Sequence, residues 1–262
     1  MKARSGPAQS QGLGEAARIL EKTYGVKVTL AERISPAPAA RLSFREIFSP
    51  KYRMRTFLAS VICATQSLEY FAAGFNLPSI SVKLFGQDFL FAILGAVFFN
   101  MFGIAGGFGG AYLTQKVGVR RLAIVGYTLV LISLVVLWLT GDAVPLIVTA
   151  LLPGLFVFGH SFGPGAQGMT MAALSYPTRI RGLGTGWGQG MVCAGSTCGF
   201  YFFPLLVAAL GLRDMLLALA AVPRIGLIAA MSITWEPTMQ DVEDVHDAEV
   251  AVMEAGPASA SV

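Results

Sequence analysis

LAIVGYTLVLISLVVLWLT, from Leu122 to Thr140, is a nineteen-residue run with no Asp, Glu, Lys, Arg or His. A helix needs roughly 20 mainly apolar residues to cross a hydrocarbon layer of about 30 Å, so this run predicts a transmembrane span. Five further stretches read the same way, at about Thr56–Asn76, Phe89–Leu113, Val144–Leu174, Gly184–Leu210 and Met215–Ile233. Turn and breaker residues separate them: Pro78 and Gly86, Gly118, Gly141 with Asp142, Pro177, and Gly211. The fourth stretch exceeds one crossing and contains Pro153 and Pro164, so a tilt or a break is expected inside it.

Charge is distributed to match. Residues 56–233 hold twelve Asp, Glu, Lys and Arg, the first 55 hold eleven Lys or Arg with four Glu, and the tail from Trp235 holds seven acids and no base. The chain is 55% apolar and 13% charged, against roughly a quarter charged in a soluble domain. It reads as an all-α membrane protein in three parts: a cytoplasmic linker segment (1–55), a six-helix bundle (56–233) and an acidic disordered tail (234–262). The leader's positive charge is not interleaved with aromatics, so nucleic-acid binding has no support. The three cysteines, Cys63, Cys193 and Cys198, form neither a metal spacing nor a disulfide framework. No metal and no cofactor is expected. Met1 to Arg55 lacks an apolar core of signal-peptide length, so the first span is expected to direct insertion.

Lys and Arg near the spans set the orientation. Ten of them (Arg41, Arg45, Lys51, Arg53, Arg55, Lys116, Arg120, Arg121, Arg179 and Arg181) fall on one side, and Lys83 and Arg213 on the other. That predicts a multi-pass protein of the cell membrane with both termini cytoplasmic. Within the leader, Gly14–Tyr24 has helical spacing and Ser35–Ala40 reads as a flexible break. Ser43–Phe48 reads as a short amphipathic segment at the membrane surface or as a solvated linker.

Ionisable groups at bilayer depth are costly and are therefore functional candidates. Glu69 lies near the middle of the first span, with Gln66 and Asn76 on the same helical stripe. It is a candidate for taking up and releasing a proton, or else a structural carboxylate held by a neighbouring helix. Arg224, mid-span in the last stretch, must pair with an acid such as Glu69, bind an anion, or snorkel. Asn100, His160, Gln167 and Gln189 are candidate cavity residues or interhelical hydrogen-bonding groups. Gly159–Gly163 matches the G-x-S-x-G nucleophile pattern, but a helical span lacks the strand-to-helix elbow, and the only other histidine is His246 in the tail. An enzyme is therefore not expected. Small-xxx-small pairs at Gly103/Gly107, Gly106/Gly110, Gly182/Gly186/Gly190 and Gly195/Gly199 allow close helix approach.

Two connections carry a resemblance. AYLTQKVGVRR (Ala111–Arg121) resembles the loop signature of the major facilitator superfamily, G-x-x-x-D-[R/K]-x-G-x-[R/K]-[R/K]. Lys116, Gly118, Arg120 and Arg121 match; Ala111 replaces the first glycine and Gln115 the acid. PTRIRG (Pro177–Gly182) is similar to the P-T-R-x-R-G loop of sugar-porter-type and related metabolite carriers, in Pro177, Arg179, Arg181 and Gly182, with Leu174 where those carriers usually have Glu. Glu236-Pro237-Thr238 is a scrambled echo of their terminal P-E-T-K-G. The resemblance covers about Phe44 to Pro237. It implies the carboxyl-terminal half of a twelve-helix transporter: a metabolite–proton symporter working by alternating access on a small organic solute. A matching six-helix half, or a second copy of this chain, would complete the cavity within the lipid bilayer. The alternative is a non-transporting, truncated membrane fragment with a packing role only.

Overall fold

The computed structural model describes residues 22, 43–74, 76, 89–140 and 146–238. The expected leader helix at 14–24, the break at 35–40, the connections at 77–88 and 141–145 and the tail from Met239 lie outside the described residues. Among the described residues every regular element is helical.

A short 3-10 helix, Phe44–Phe48, is capped by Ser43, whose hydroxyl accepts from the Arg45 N–H. The expected amphipathic segment packs on the bundle itself. Ile47 is buried with Tyr52, Tyr176 and Ile180, while Phe44 and Phe48 meet Trp187 edge-on. Helix α1, Arg53–Glu69, then runs straight into a π-helical turn, Tyr70–Gly74. Helix α2 is Phe89–Val117 and α3 is Val119–Thr140. Helix α4, Leu146–Phe162, and α5, Pro164–Leu174, are separated at Gly163, whose φ of −112° and ψ of −104° are not helical. Of the two prolines expected to strain this stretch, Pro164 sits at the break and Pro153 stays inside α4. Helix α6 is Thr178–Ser232, interrupted at Gly211 with φ 78° and ψ 163°. Fifty-five residues at 1.5 Å each would run about 80 Å, far beyond a bilayer core. The left-handed conformation at Gly211, open to a residue without Cβ, divides them into arms 178–210 and 212–232.

Three helices among the described residues are long and apolar enough to cross a membrane: Ile93–Val117, Val119–Thr140 and Thr178–Ser232. Helices α1 and α4 have 17 residues each, and α5 has 11. The long helices also begin or end beyond the apolar runs, because α2 continues to Val117 and α6 starts at Thr178.

Packing contacts fix the helix directions. Along α6, Gly195 lies on the Ala64 carbonyl and Gly199 on that of Leu68, so the first arm runs parallel to α1. Arg213 reaches the Trp138 carbonyl and Arg120 the Ala230 carbonyl, so the second arm runs antiparallel to α3. Gly106 and Gly110 press on the carbonyls of Phe158 and Phe162, so α2 and α4 are parallel at backbone distance, and any larger side chain would separate them. Gly168 on α5 faces Gln66 and Ile62, and Arg55 reaches the Ser175 carbonyl, so α5 is antiparallel to α1. Counting α4 with α5 as one run and the two arms of α6 as two, the six runs among the described residues alternate in direction.

Two apolar clusters stack along the bundle. One holds Ala72, Ala73, Phe99, Val130, Leu134, Phe156, Val157, Phe203, Met215 and Leu219. The other holds Leu58, Ile62, Val119, Ala123, Tyr127, Met171, Ala229 and Ala230. The outer surface is apolar as well, with Phe57 63% and Phe108 76% exposed. A soluble protein would conceal such residues; here they suit a hydrocarbon solvent.

Candidate functional site

Position along each helix puts a polar layer between the two clusters. On α1, Thr65, Gln66 and Glu69 lie between Ile62 and Ala72. On α4 and α5, His160 lies between Val157 and Met171. Tyr127 on α3 crosses the boundary with its hydroxyl, which hydrogen-bonds the Thr65 hydroxyl (2.8 Å) and donates to the Ile62 carbonyl (3.1 Å).

Glu69 is the centre of this layer. It is fully buried, and its Oε1 stands 3.2 Å from Nδ1 of His160. Its Oε2 is buried with no hydrogen-bond partner. The Tyr70 ring lies on the imidazole, centroids 4.6 Å apart and planes 20° from parallel. On the other side, a Cβ at Gly165 would stand 2.5 Å from His160 Nε2, so the glycine leaves room for the ring. Both acid and base adjoin a backbone irregularity. Glu69 is the last residue of α1 before the π-turn, and Pro164 lacks the N–H that would otherwise bond the His160 carbonyl.

The other candidates from the sequence disperse. Gln66 is buried beside Gly168, and Gln167 is buried with its Nε2 donating to Thr114 Oγ1 (2.9 Å), which ties α5 to α2. Asn76 does not continue the Gln66–Glu69 stripe. The π-turn inserts about one extra residue, which rotates the chain beyond it by roughly 100°, and Asn76 Nδ2 donates to the Ala72 carbonyl. Asn100 is exposed and donates to Ala96 O on its own helix, and Gln189 is exposed with Nε2 against Cys193 Sγ. The suggested pairing of Glu69 with Arg224 is replaced by that with His160; Arg224 is exposed on the second arm of α6. Ser161 sits in the last turn of α4, and its neighbour His160 is committed to Glu69, so no elbow forms.

A second polar assembly closes the end where the basic connections gather. Gly118 has φ 95° at the α2–α3 turn, and the Glu236 carboxylate fills the space where a Cβ would stand. Glu236 Oε1 accepts the Arg120 N–H at 3.1 Å, at the start of α3. The Arg120 guanidinium donates to the carbonyls of Ala230 and Met231, both at 3.3 Å, in the last turn of α6. Each helix end thus receives the charge its dipole favours. Alongside, Arg55 donates to the Ser175 carbonyl and lies over the Trp235 ring, and Arg179 pairs with Glu46. Thr56 donates to the Ile47 carbonyl, and its hydroxyl lies 2.8 Å from that of Tyr176. Burial pushes the Tyr176 phenol above its ordinary range, so it stays a neutral hydrogen-bonding group. Of the loop-motif residues, Lys116 and Arg121 are exposed, Lys116 reaching Tyr112; Arg181 donates to the Tyr176 carbonyl, Pro177 precedes α6 and Gly182 is open.

No family model matches the chain. It is 28% identical over 221 residues to the inner membrane metabolite transport protein YgcS of Escherichia coli strain K12, an alignment that takes in 84% of this chain and 47% of that protein. The chain therefore spans about half the length of this curated relative, which is a transport protein and not an enzyme.

Proposed function

We propose that this chain is one six-helix half of a major-facilitator-type secondary transporter of the inner membrane, moving a small organic solute in symport with protons. The observation that carries this reading is the alternation of six helical runs, with the basic connections of the first, third and fifth runs at one end. By the excess of Lys and Arg, that end faces the cytoplasm, and with it both termini. Two of the runs come from one helix turned back at Gly211, and another from α4 and α5 together. A likeness that reaches 84% of the chain but 47% of a metabolite transporter supports a half rather than a whole.

The solute site lies between this bundle and a second one, a matching half or a second copy of the chain. Asn100, Gln189 and Arg224 are exposed and available to it. Transport proceeds by rocking of one bundle against the other. Glu69 is the proton-responsive group, and Gln66 and Gln167 are buried supports of its layer. The basic loop residues Lys116, Arg120, Arg121, Arg179 and Arg181 hold the cytoplasmic end.

Co-expression with the amino-terminal half of the YgcS relative, followed by a solute-uptake screen in vesicles with and without a pH gradient, tests this. Gradient-driven accumulation that needs both chains supports it. Absence of accumulation with both that half and a doubled copy of this chain favours the second reading, a membrane fragment that only packs, to which the half-length alignment also lends support.

A further inference from the structure

The buried acid and base of the polar layer hold a countable number of protons. Starting from a carboxylate and a neutral imidazole, the Glu69–His160 pair carries one negative charge with no added proton. One added proton makes it neutral, and two leave it positive. The neutral state has two forms, a carboxylic acid beside a neutral ring or a carboxylate beside an imidazolium, with the proton on Glu69 Oε1 or on His160 Nδ1, 3.2 Å away. In a water-poor interior a net charge is unfavourable, so the one-proton state is the favoured one.

Among the described residues the surroundings add no third participant. Cys63 on α1 is directed to the Gly168 carbonyl. Tyr70 stacks on the imidazole face, and the hydroxyl of Tyr127 on α3 is engaged by Thr65 and Ile62. On α2, Lys116 and Tyr112 are exposed and paired with each other, and α5 presents Gln167, which does not titrate. On α6, Cys193, Cys198, Tyr201, Arg213, Asp214 and Arg224 are exposed, and Arg179 and Arg181 stand at its basic start. Glu69 Oε2, buried and unpartnered, leaves one open position at which a proton donor can enter.

From this geometry we propose that Glu69 and His160 form a single-proton site, in which the coupled proton is held by the pair and His160 Nδ1 is its second seat. Coupling to solute movement rests on the transporter reading; proton binding by the pair does not. Each seat adjoins a place where its helix is already irregular, the π-turn after Glu69 and the Gly163–Pro164 break after His160. Loading and emptying the site therefore acts where the two helices bend most easily.

Infrared difference spectroscopy of the purified full chain in lipid, titrated between about pH 5 and 9, tests this without requiring transport. At those pH values exposed carboxylates stay ionised. A His246→Asn background leaves His160 the sole histidine of the two in the chain. The expected result is one transition in which the carboxylic C=O band and the imidazole ring bands change at the same midpoint, both lost in Glu69→Gln. His160→Asn keeps a donor near the place of Nδ1 but no base, so the Glu69 midpoint falls by about one pH unit or more, a tenfold loss in proton affinity. Separate midpoints for the two groups in the unsubstituted pair, or an unmoved Glu69 midpoint in His160→Asn, overturn the proposal. A shared transition together with failed uptake would instead sink the transporter reading and leave the proton site standing.

Discussion

Glu236 and Arg120 cap each other's helices. The carboxylate accepts the N–H at the start of α3, while the guanidinium of the same arginine covers the last carbonyls of α6. Gln115 stands where the resembled loop signature has an acid, and an acid reaches this turn from beyond the last helix. The arrangement requires a glycine in the left-handed region at the turn, because any side chain at Gly118 would occupy the carboxylate's place.

Gly118→Ala is expected to lower stability by about 2 kcal/mol or more, from backbone strain together with the collision. Glu236→Ala alone costs about 1 kcal/mol for the lost cap. Combined, the two cost clearly less than their sum, because the second removes the atoms the first strikes. Thermal melts in detergent of the two single variants and the double variant measure the coupling; strict additivity would place the carboxylate elsewhere.

In vesicles that contain the companion half, Glu69→Gln is expected to abolish pH-gradient-driven accumulation while solute exchange continues. The amide keeps shape and burial but cannot cycle a proton. Comparing uptake with counterflow separates the two activities, and normal accumulation would remove Glu69 from coupling.

Glycines on the bundle fall into two kinds. Gly106→Val forces α2 off the Phe158 carbonyl and is expected to cost about 3 kcal/mol. A Cβ at Gly186 meets nothing within 4 Å, so Gly186→Val is expected to leave the bundle's own melt within about 0.5 kcal/mol of the parent. It should nonetheless reduce recovery of the companion half in a pull-down, if that open face receives the second bundle.

Tyr176 gives a pH signature at the basic end. Its phenol is held protonated in the fold to higher pH than in the unfolded chain, so the folded state binds the extra proton above about pH 10. Stability should therefore fall more steeply there for the parent than for Tyr176→Phe, with parallel curves below. Denaturation midpoints across pH 8–11 would register the difference, and equal slopes would contradict it.

Sequence alone exposes what depends on one helix at a time. The apolar runs of α2 and α3, the break near Pro164 and the reversal at Gly211 all follow from hydropathy and backbone rules applied locally. What it conceals depends on two helices meeting. Glu69 and Arg224 look like natural partners in sequence because each is a charge in an apolar run, yet α4 delivers His160 to the acid instead. Asn76 falls off its stripe because a π-turn is not announced by side-chain spacing. Asn100 and Gln189 are legible as polar groups in apolar helices, but nothing in the spacing tells which side faces outward. His160 stands out in sequence for its own titration, and Glu236 only as part of a motif; their partners lie 91 and 116 residues away in the chain.

The reciprocal cap has a practical corollary for anyone shortening or labelling this polypeptide. A stop codon directly after Ser232 strips the acid from the head of α3 and empties the space beside Gly118, while the guanidinium keeps the Ala230 and Met231 carbonyls, so the cut unseals the start of one helix and spares the end of the other. Fluorescent or affinity appendages belong after Thr238, where Glu236 keeps its seat.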